Sequence, residues 1–440
     1  MKKEEGESSE DRIEIFKDKS ILKVGNANSE VFHEGRPSKE AENRYNQIKK
    51  KFNDGYLRNV INECREGKVE SIEDKGIDKV LVSLVDSISS QYGRALVGLF
   101  VVQLCVKAIS PDQSIRLHKG GKGDFSWREG ISMRTLDSKF IAPELRKFDL
   151  LKYNQFGVMM SRSFAENYPY TKFYKASIRG PKEIWLTLVD LLEKRSLNPE
   201  QALKRIISLL IVRSDRFARI VKRTVENTSQ LMDKVKEEDR LVGLMLKHIK
   251  ESQHPARLFE IVMHSLVYTI SEVSNVEWYL RPLSQMRSAN KKFGNIGDIE
   301  ILSSEEGSNN IIQAWDAKYG RTYLFDELGE LTDKLASHKG LEDVGFVTID
   351  TPELTNEIEE RLTEVRETFG IDVKLMTFRE WVEYMLKENS LILKDVAGKW
   401  LSNYVDYICL REKDIAPIEE PTEVWLDELN NIIEKLLPSI

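Results

Sequence analysis

Residues 294–320 read "GNIGDIEILSSEEGSNNIIQAWDAKYG". Two short apolar runs flank a polar turn, and each run carries charged residues inside it. Asp298 and Glu300 lie in the first run, and Asp316 and Lys318 lie in the second. Side chains alternate between the two faces of a strand, so the members of each pair share a face. If the two runs pair as a hairpin, all four groups converge on one side of a sheet.

Three carboxylates in such a cluster repel one another unless a cation lies among them. Mg²⁺ takes oxygen ligands, usually one or two carboxylates together with waters and phosphate oxygens. The ammonium of Lys318, two residues after Asp316, is then placed to stabilise negative charge that develops on a phosphate. The alternative is a solvated hairpin face with cross-strand ion pairs, which contribute roughly 0.2–1 kcal/mol each. Both interpretations are open from the pattern, and the position of the acids inside apolar runs favours the metal site.

The surrounding sequence predicts an α/β sheet. Between two further strand candidates lies "TPELTNEIEERLTEVRETFG", a predicted helix with Pro near its start and Gly at its end. The order strand, hairpin, strand, helix, strand is typical of an α/β sheet. The four predicted strands are "IGDIEIL", "IIQAWDAKYG", "VGFVTID" and "DVKLMTF".

The pattern "GDIEIL…IIQAWDAK" resembles the signature of the PD-(D/E)xK nuclease superfamily, best known from type II restriction endonucleases. The resemblance covers about residues 256–380. It implies that Asp298 and Asp316 ligate Mg²⁺ and that Lys318 assists the attacking water. Gly297 stands where the family has Pro. Glu300 matches no fixed position of the motif, and we add it to the predicted metal ligands because it shares the face of Asp298.

A further acid, Glu260, interrupts the apolar helix predicted for "RLFEIVMHSLVYTI". His264 and Tyr268 lie on the same stripe of that helix. Many members of the superfamily carry a Glu on the helix before the first catalytic strand, so the resemblance implies that Glu260 is catalytic. The alternative is a Glu near the helix start that faces solvent and is favoured by the helix dipole.

Residues 111–182 differ in composition from the rest of the chain. They contain 14 Lys/Arg against 7 Asp/Glu, a local charge of +7, together with eleven aromatic residues. Lys and Arg neutralise DNA phosphates, and Arg can read guanine in the major groove. The alternative is a basic surface patch over an aromatic core in which Tyr168, Tyr170 and Tyr174 only pack. The predicted DNA-binding residues are Lys119, Lys122, Arg128, Arg134, Lys139, Arg162, Lys172, Lys175 and Arg179.

The bulk composition limits the class of protein. A chain of 440 residues with a net charge of −6 predicts two or three domains and no overall nucleic-acid-binding character. Cys64, Cys105 and Cys409 are far apart, which predicts buried thiols. We expect no signal peptide, no membrane span of roughly 18 apolar residues and a cytoplasmic location in a bacterium or archaeon. The loop "HKGGKGD" lacks the order of a phosphate-binding loop, so no nucleotide cofactor is expected.

The domain organisation follows from these segments. We predict a loosely ordered polar lead-in over 1–40, a helical N-terminal region over 41–110, a basic aromatic helix-turn-helix-like DNA-binding segment over 111–185, a helical connector over 186–255, a PD-(D/E)xK nuclease core over 256–385 and a helical C-terminal tail over 386–440.

The predicted fold class is α/β (α+β): a restriction-endonuclease-like catalytic core with a mixed sheet flanked by helices, and a mainly helical N-terminal region for DNA recognition. The predicted activity is that of a type II restriction endonuclease, the Mg²⁺-dependent hydrolysis of a specific double-stranded DNA site. The resemblance also implies a homodimer, whose symmetry matches a palindromic site. Two alternatives remain: a nuclease of the same superfamily that acts on modified or branched DNA, and a non-enzymatic DNA-binding regulator.

Overall fold

The computed structural model describes residues 11–24, 29–68, 71–89, 91–118, 126–151, 168–235, 237–283, 295–304, 310–338, 340–409 and 421–439. The chain is a mixed α/β protein, and it divides into two compact units, Met1–Arg216 and Phe217–Ile440. The boundary falls within one long helix. We call these the N-terminal unit and the C-terminal unit.

The N-terminal unit begins with a small antiparallel sheet in the order β1-β2-β3. Its strands are β1 (Arg12–Ile15), β2 (Lys19–Lys23) and β3 (Glu30–His33). The predicted loosely ordered lead-in is therefore wrong for these residues. Charged side chains alternate with apolar ones, which makes the segment look polar in composition, while Leu22 and Phe32 are buried against Trp127.

Helices make up most of the remainder of the N-terminal unit. Several begin with a side-chain cap: Ser38 accepts from the backbone N–H of Ala41, and Asp74 and Asn198 cap later helices in the same way. The helices are α1 (Lys39–Asn53), α2 (Tyr56–Arg65), α3 (Lys75–Asp86), α4 (Gln91–Ile109), α5 (Met133–Leu136), α6 (Ala142–Lys147), α7 (Lys182–Glu193) and α8 (Pro199–Lys234), with a π-helical turn, Asp137–Ile141, between α5 and α6.

In the part of the chain that the structure describes, one segment, Tyr92–Ile109 of α4, is long and apolar enough to span a membrane by length and composition. The expectation that the chain has no membrane span stays a prediction. However, 72% of the segment is buried inside the protein, and Phe100 and Leu104 lie in the core of the N-terminal unit. Because a core helix passes the same test, the segment is weak evidence for a membrane.

In its described residues, the predicted helix-turn-helix-like segment forms one helical stretch and not two helices joined by a short turn. Residues 133–147 form one helical stretch that includes the π-helical turn, and Asp149 ends it with a left-handed backbone conformation (φ 54°). Residues 126–151 and 168–181 contain no second helix across a short turn. Residues 119–125 and 152–167 lie outside the described residues.

The C-terminal unit contains a five-stranded mixed sheet, and helices precede, separate and follow its strands along the chain. Its elements, after the end of α8, are α9 (Glu238–Glu251), α10 (Pro255–Val273), β4 (Trp278–Leu280), β5 (Ile299–Ser303), β6 (Ile311–Lys318), α11 (Phe325–Leu335), β7 (Asp343–Thr348), α12 (Asn356–Phe369), β8 (Val373–Thr377), α13 (Phe378–Glu388), α14 (Leu393–Ile408) and α15 (Thr422–Leu436).

The sheet has the order β4-β5-β6-β7-β8, in which β4, β5 and β6 are antiparallel neighbours and β6, β7 and β8 are parallel. The four predicted strands, the helix α12 between the last two and the helical tail are confirmed. The strand β4 and the helix α11 are not predicted from the sequence. With three residues, β4 is too short to show the alternation of a strand.

Each face of this sheet packs on helices. Ile299 and Trp315 belong to a core that includes residues of α10, α13 and α14. Ala314, Val344 and Phe346 belong to a second core with residues of α11 and α12. The mixed sheet is therefore flanked by helices on both faces, and the end of β6 lies between the two layers. The three cysteines are free and buried, as predicted.

His248 gives the C-terminal unit a defined pH dependence. Its Nε2 lies 2.8 Å from the carbonyl oxygen of Trp425, and its Nδ1 lies 2.9 Å from the hydroxyl of Tyr404. A carbonyl can only accept, so Nε2 carries the proton and Nδ1 accepts from the hydroxyl. Burial lowers the pKa of His248 from 6.5 to about 4, so the neutral ring is the form that fits.

Because the folded pKa lies below the unfolded value, the unfolded chain binds this proton first. Stability is fully present above about pH 6.5 and is lost as the pH falls from about 6.5 to about 4, by up to about 3 kcal/mol. Urea unfolding followed by far-UV circular dichroism across this range measures the slope. His248→Gln is expected to reduce the slope, and His33→Gln, at an exposed strand position, is the control. An unchanged slope in His248→Gln contradicts the assignment.

Candidate active site

Asp316 and Lys318 lie near the end of β6 and share the face of Ala314. The Nζ of Lys318 is 2.8 Å from Oδ2 of Asp316, and the two side chains are 22% and 12% exposed. Lys318 also lies 5.9 Å from the ring centroid of Phe346 on the neighbouring strand. The spacing of two residues along one strand therefore brings the ammonium and the carboxylate together at the surface of the sheet.

Asp298 immediately precedes β5, and its carboxyl group lies beside that of Asp316. Its backbone N–H donates to the carbonyl of Trp315 at 3.0 Å, and its Oδ2 accepts from the N–H of Ala317 at 3.0 Å. The carboxyl groups of Asp298 and Asp316 are hydrogen-bonded to each other. Backbone pairing of β5 with β6 thus fixes the carboxyl of Asp298 beside that of Asp316.

The two carboxyl groups have opposite pKa shifts. Burial, followed by the negative charges of Asp316 and Glu260, raises the pKa of Asp298 well above its usual range. Burial also acts to raise the pKa of Asp316, but the hydrogen bond from Asp298 and the charge of Lys318 outweigh it, so that pKa is lowered. Of the two carboxyl groups, Asp316 is therefore the one that ionises first, and Asp298 is the one that favours the proton.

Lys318 stays charged in this setting. Burial acts to lower its pKa, but the charge of Asp316 and the hydrogen bond to it, with the charge of Asp298 behind them, raise the pKa above its ordinary value. An ammonium beside a carboxylate pair is suited to contact a phosphate oxygen or a water molecule, and less suited to act as a proton acceptor.

Glu260 approaches the pair from the helix α10. Its negative charge contributes to the raised pKa of Asp298, which places the two carboxyl groups near each other. Its Oε2 accepts from Nη1 of Arg257, three residues earlier on the same helix, and the Glu260 side chain is 23% exposed. The alternative of a solvent-facing Glu does not describe this position, because a buried Arg257 holds the carboxylate.

Glu300 has a different set of partners from the one predicted. Its side chain is 1% exposed and forms an ion pair with Arg281. Its Oε1 accepts from the N–H groups of Ile296 at 2.5 Å and Gly297 at 3.4 Å. Asp298 lies before the start of β5, so the rule that residues two apart on a strand share a face does not place the Glu300 side chain beside that of Asp298. Both oxygens of Glu300 are engaged, so we remove it from the predicted metal ligands.

These contacts make Glu300 part of the support for Asp298. The ring Nε2 of His264, on α10, lies 2.9 Å from the carbonyl oxygen of Arg281. Arg281 holds Glu300, and Glu300 holds the two residues before Asp298. The contacts connect the helix to the loop that positions the carboxyl. Sequence reasoning missed Arg281, since it is 19 positions from Glu300 and no local pattern links them.

Gly297 is required by a close approach of two backbones. A Cβ at this position would lie 2.8 Å from the carbonyl oxygen of Trp315 and 2.9 Å from its carbonyl carbon. The Gly at the position where the family has Pro therefore has a local reason, because any larger residue would push the loop away from β6.

Lys334, on α11, adds a second positive charge near Asp316. Its Nζ donates to the carbonyl of Ile296 at 3.0 Å, and its charge helps to lower the pKa of Asp316. A cavity of about 10 Å³ lies between α11 and the strands, and Asp316, Lys318, Glu327 and Lys334 are among the residues that line it. This volume admits about one water molecule.

The donor set of Asp298 and Asp316 fits one Mg²⁺, whose usual ligands are one or two carboxylates plus waters and substrate oxygens. Among the described residues, no group of three or more His, Cys, Asp and Glu side chains is arranged to hold a metal ion. The remaining ligands would therefore come from water and substrate. A cation between the two carboxylates would relieve the repulsion between their charges.

The predicted DNA-binding residues fall into three groups. Arg128, Arg134 and Lys139 are exposed. Three others contact aromatic rings or nearby groups: Lys172 pairs with Asp11, Lys175 lies over Tyr168, and Arg179 donates to the hydroxyl of Tyr92. Lys119, Lys122 and Arg162 lie outside the described residues.

The aromatic residues of the basic segment divide between core and surface. Tyr170 and Tyr174 are buried and pack edge-on or tilted against Trp185. For these two, packing is the better interpretation. Tyr168 is partly exposed and carries the ammonium of Lys175 over its ring at 5.1 Å from the centroid.

Comparison of the chain with known protein families and with curated proteins finds no match to either. The case for the site therefore depends on its geometry and on the chemistry of its side chains.

The close approach at Gly297 predicts the outcome of one substitution. Gly297→Ala places a methyl group against the backbone of β6, and we expect a loss of about 1–3 kcal/mol in the free energy of unfolding. Gly329→Ala is the matched control, because a Cβ there meets no atom within 4 Å and Ala favours the helix by about 0.5–1 kcal/mol. Urea unfolding of both variants measures the difference. If Gly297→Ala is as stable as the wild type, the close approach is not a constraint.

Proposed function

We propose that the protein is a Mg²⁺-dependent endonuclease of the PD-(D/E)xK type that hydrolyses phosphodiester bonds in a specific site of double-stranded DNA, as type II restriction endonucleases do. The observation that carries the proposal is the group formed by Asp298, Asp316 and Lys318, in which two hydrogen-bonded carboxyl groups lie beside an ammonium 2.8 Å from one of them. This is the donor set and the cation that phosphodiester hydrolysis needs.

Asp298 and Asp316 would hold the metal ion in this proposal. They are close enough to share one proton, so both can face one cation once that proton leaves. Mg²⁺ supplies Lewis-acid chemistry: it offsets negative charge on a phosphate and favours ionisation of water near neutral pH. The buried setting of the pair strengthens its attraction for a cation, because little water screens the charges.

Lys318 would contribute a fixed positive charge at the reacting phosphate. Asp316 holds the ammonium in place and keeps it protonated. From this position Nζ can donate to a phosphate oxygen whose charge increases as the attacking oxygen approaches phosphorus, and it can orient a water molecule by hydrogen bonding. Donors that are fixed before the reaction stabilise such charge without reorganisation.

Glu260 has a supporting role in the proposal. Its charge adds to the negative field at Asp298, and Arg257 fixes its orientation. A third carboxylate near the pair would accept hydrogen bonds from the waters that complete a Mg²⁺ shell. Glu300 would have an indirect role, because it holds the loop before Asp298.

The N-terminal unit would supply the contacts to DNA. The exposed Arg128, Arg134 and Lys139 belong to the segment of charge +7, in a chain whose net charge is −6. Phosphate contacts of this kind give affinity that falls with salt. Two copies of the chain would match the symmetry of a palindromic site, and the homodimer is part of the proposal.

Lys318→Ala tests the proposal directly. Wild-type protein is incubated with phage DNA in Mg²⁺ and, separately, in EDTA, and discrete fragments are expected only with Mg²⁺. Lys318→Ala is expected to lower the cleavage rate by about 10²–10³-fold, the usual effect of removing one such donor, and to leave DNA binding in a gel-shift assay largely unchanged.

Lys374→Ala is the matched control. Lys374 is also a strand lysine that pairs with an aspartate, Asp343, and lies over an aromatic ring, that of Tyr384. Among the described residues, Lys374 forms an ion pair with one carboxylate, that of Asp343, and not with a pair of carboxyl groups. The control variant should therefore cleave at the wild-type rate. A wild-type protein that shifts DNA and never cuts it in Mg²⁺, or a Lys318→Ala variant with full activity, contradicts the proposal.

A further inference from the structure

The N-terminal unit contains a cavity that the proposed nuclease site does not use. Its volume is about 270 Å³. One wall comes from the start of α1 and the loop before it, and the other comes from the loop that leads into α5. The lining residues are Pro37, Ala41, Glu42, Tyr45, Gly130, Ile131, Ser132 and Thr135.

Three hydroxyl groups meet in this cavity. Oγ of Ser132 lies 2.7 Å from Oγ1 of Thr135, and both side chains lie near the hydroxyl of Tyr45, where they act to lower its pKa against the effect of burial. Three hydroxyls carry three protons and six lone pairs. One proton is used in the hydrogen bond between Ser132 and Thr135, and lone pairs remain that can accept from a ligand. Together with the exposed carboxylate of Glu42, which only accepts, the cluster therefore offers several hydrogen-bond acceptors to a ligand.

The two walls are joined by backbone hydrogen bonds, so the cavity is formed in advance. The N–H of Ser38 donates to the carbonyl of Arg128 at 2.8 Å, and the N–H of Arg128 donates to the carbonyl of His33 at 2.9 Å. Arg44 ties α1 to Glu129 with a 2.6 Å ion pair. At Gly130 a Cβ would lie 2.6 Å from the carbonyl oxygen of His118, which fixes the path of the second wall.

The size of the cavity restricts its ligand. A cavity of roughly 150 Å³ holds benzene, and pockets for drug-sized ligands begin near about 300 Å³. A volume between these limits suits one heteroaromatic ring system. Pro37, Ala41, Ile131 and the ring of Tyr45 supply the apolar and aromatic contacts that such a ring needs, and the acceptors require a ligand that carries hydrogen-bond donors.

We propose that this cavity binds a single nucleobase that bears an exocyclic amino group, such as cytosine or adenine. The ring lies against Tyr45 and the apolar wall, and the amino group donates to the hydroxyl cluster or to Glu42. Exposed basic residues flank the lining residues in the chain and suit the phosphates that accompany a base; they are Arg36, Lys39, Arg128 and Arg134.

The nucleobase has two sources, an unpaired base in nucleic acid or a free nucleoside. The inference rests on the proposed function only in favouring DNA, since enzymes that read an unpaired base rotate it out of the stack into such a pocket. The binding site itself does not depend on cleavage. The experiment therefore measures binding, in EDTA and with Lys318→Ala protein so that DNA stays intact.

Two labelled duplexes are compared by fluorescence anisotropy: one with a single unpaired cytosine, and one with an abasic site at that position. The protein is expected to prefer the unpaired cytosine by about fivefold or more, the usual contribution of stacking one base on an aromatic ring. Ser132→Ala and Thr135→Val, which remove one hydroxyl each, should reduce that preference by about two- to tenfold. Deoxycytidine alone is titrated by calorimetry.

Thr187→Val, at an exposed position on α7, is the control, and thermal melting confirms that each variant is folded. A preference that the cavity variants lose supports the inference with DNA as the source. Binding of deoxycytidine that the same variants lose, without a preference between duplexes, supports it with a nucleoside as the source. No preference and no nucleoside binding, or binding that the variants leave unchanged, overturns it. Mg²⁺-dependent cleavage by wild-type protein would then still stand.

Discussion

Two carboxyl groups, those of Asp298 and Asp316, share a hydrogen bond inside the C-terminal unit, and the candidate site is organised around that contact. Two negative charges in such contact repel each other strongly unless a proton or a cation lies between them. The chain keeps them together with the ammonium of Lys318 on one side and the charge of Lys334 nearby. Such a pair costs stability, and its retention is explained most simply by a function that uses the charge.

The fold places these groups by backbone contacts more than by the side chains themselves. The N–H of Asp298 pairs with Trp315, and the N–H of Ala317 holds its carboxylate. Gly297 permits this approach, and Glu300 and Arg281 hold the loop before it from behind. The site therefore depends on β-sheet pairing that begins one residue before β5, at Asp298, and this pairing holds a loop residue and a strand residue in one geometry.

The sequence was sufficient for those parts of the fold that repeat with a period. Alternation identified β5 to β8, and the spacing of Asp316 and Lys318 predicted their common face. The sequence pattern could not identify β4, because that strand has only three residues. It also could not identify the partners of Glu300, because Arg281 reaches Glu300 only through the tertiary structure. The small N-terminal sheet was missed because its charged alternate positions resemble a polar linker. The cavity between α1 and α5 joins segments about 90 positions apart, which no local pattern reveals.

If Asp298 and Asp316 form a cation site, a bound metal displaces a proton from them, and calorimetric titration with Mg²⁺ or Mn²⁺ measures this displacement. Titrations in buffers of different ionisation enthalpy count the protons released. The wild type is expected to bind the metal with release of about one proton, and Asp316→Asn is expected to lose that binding. Metal binding that is unchanged in Asp316→Asn, or that releases no proton, would contradict a cation site at these two residues.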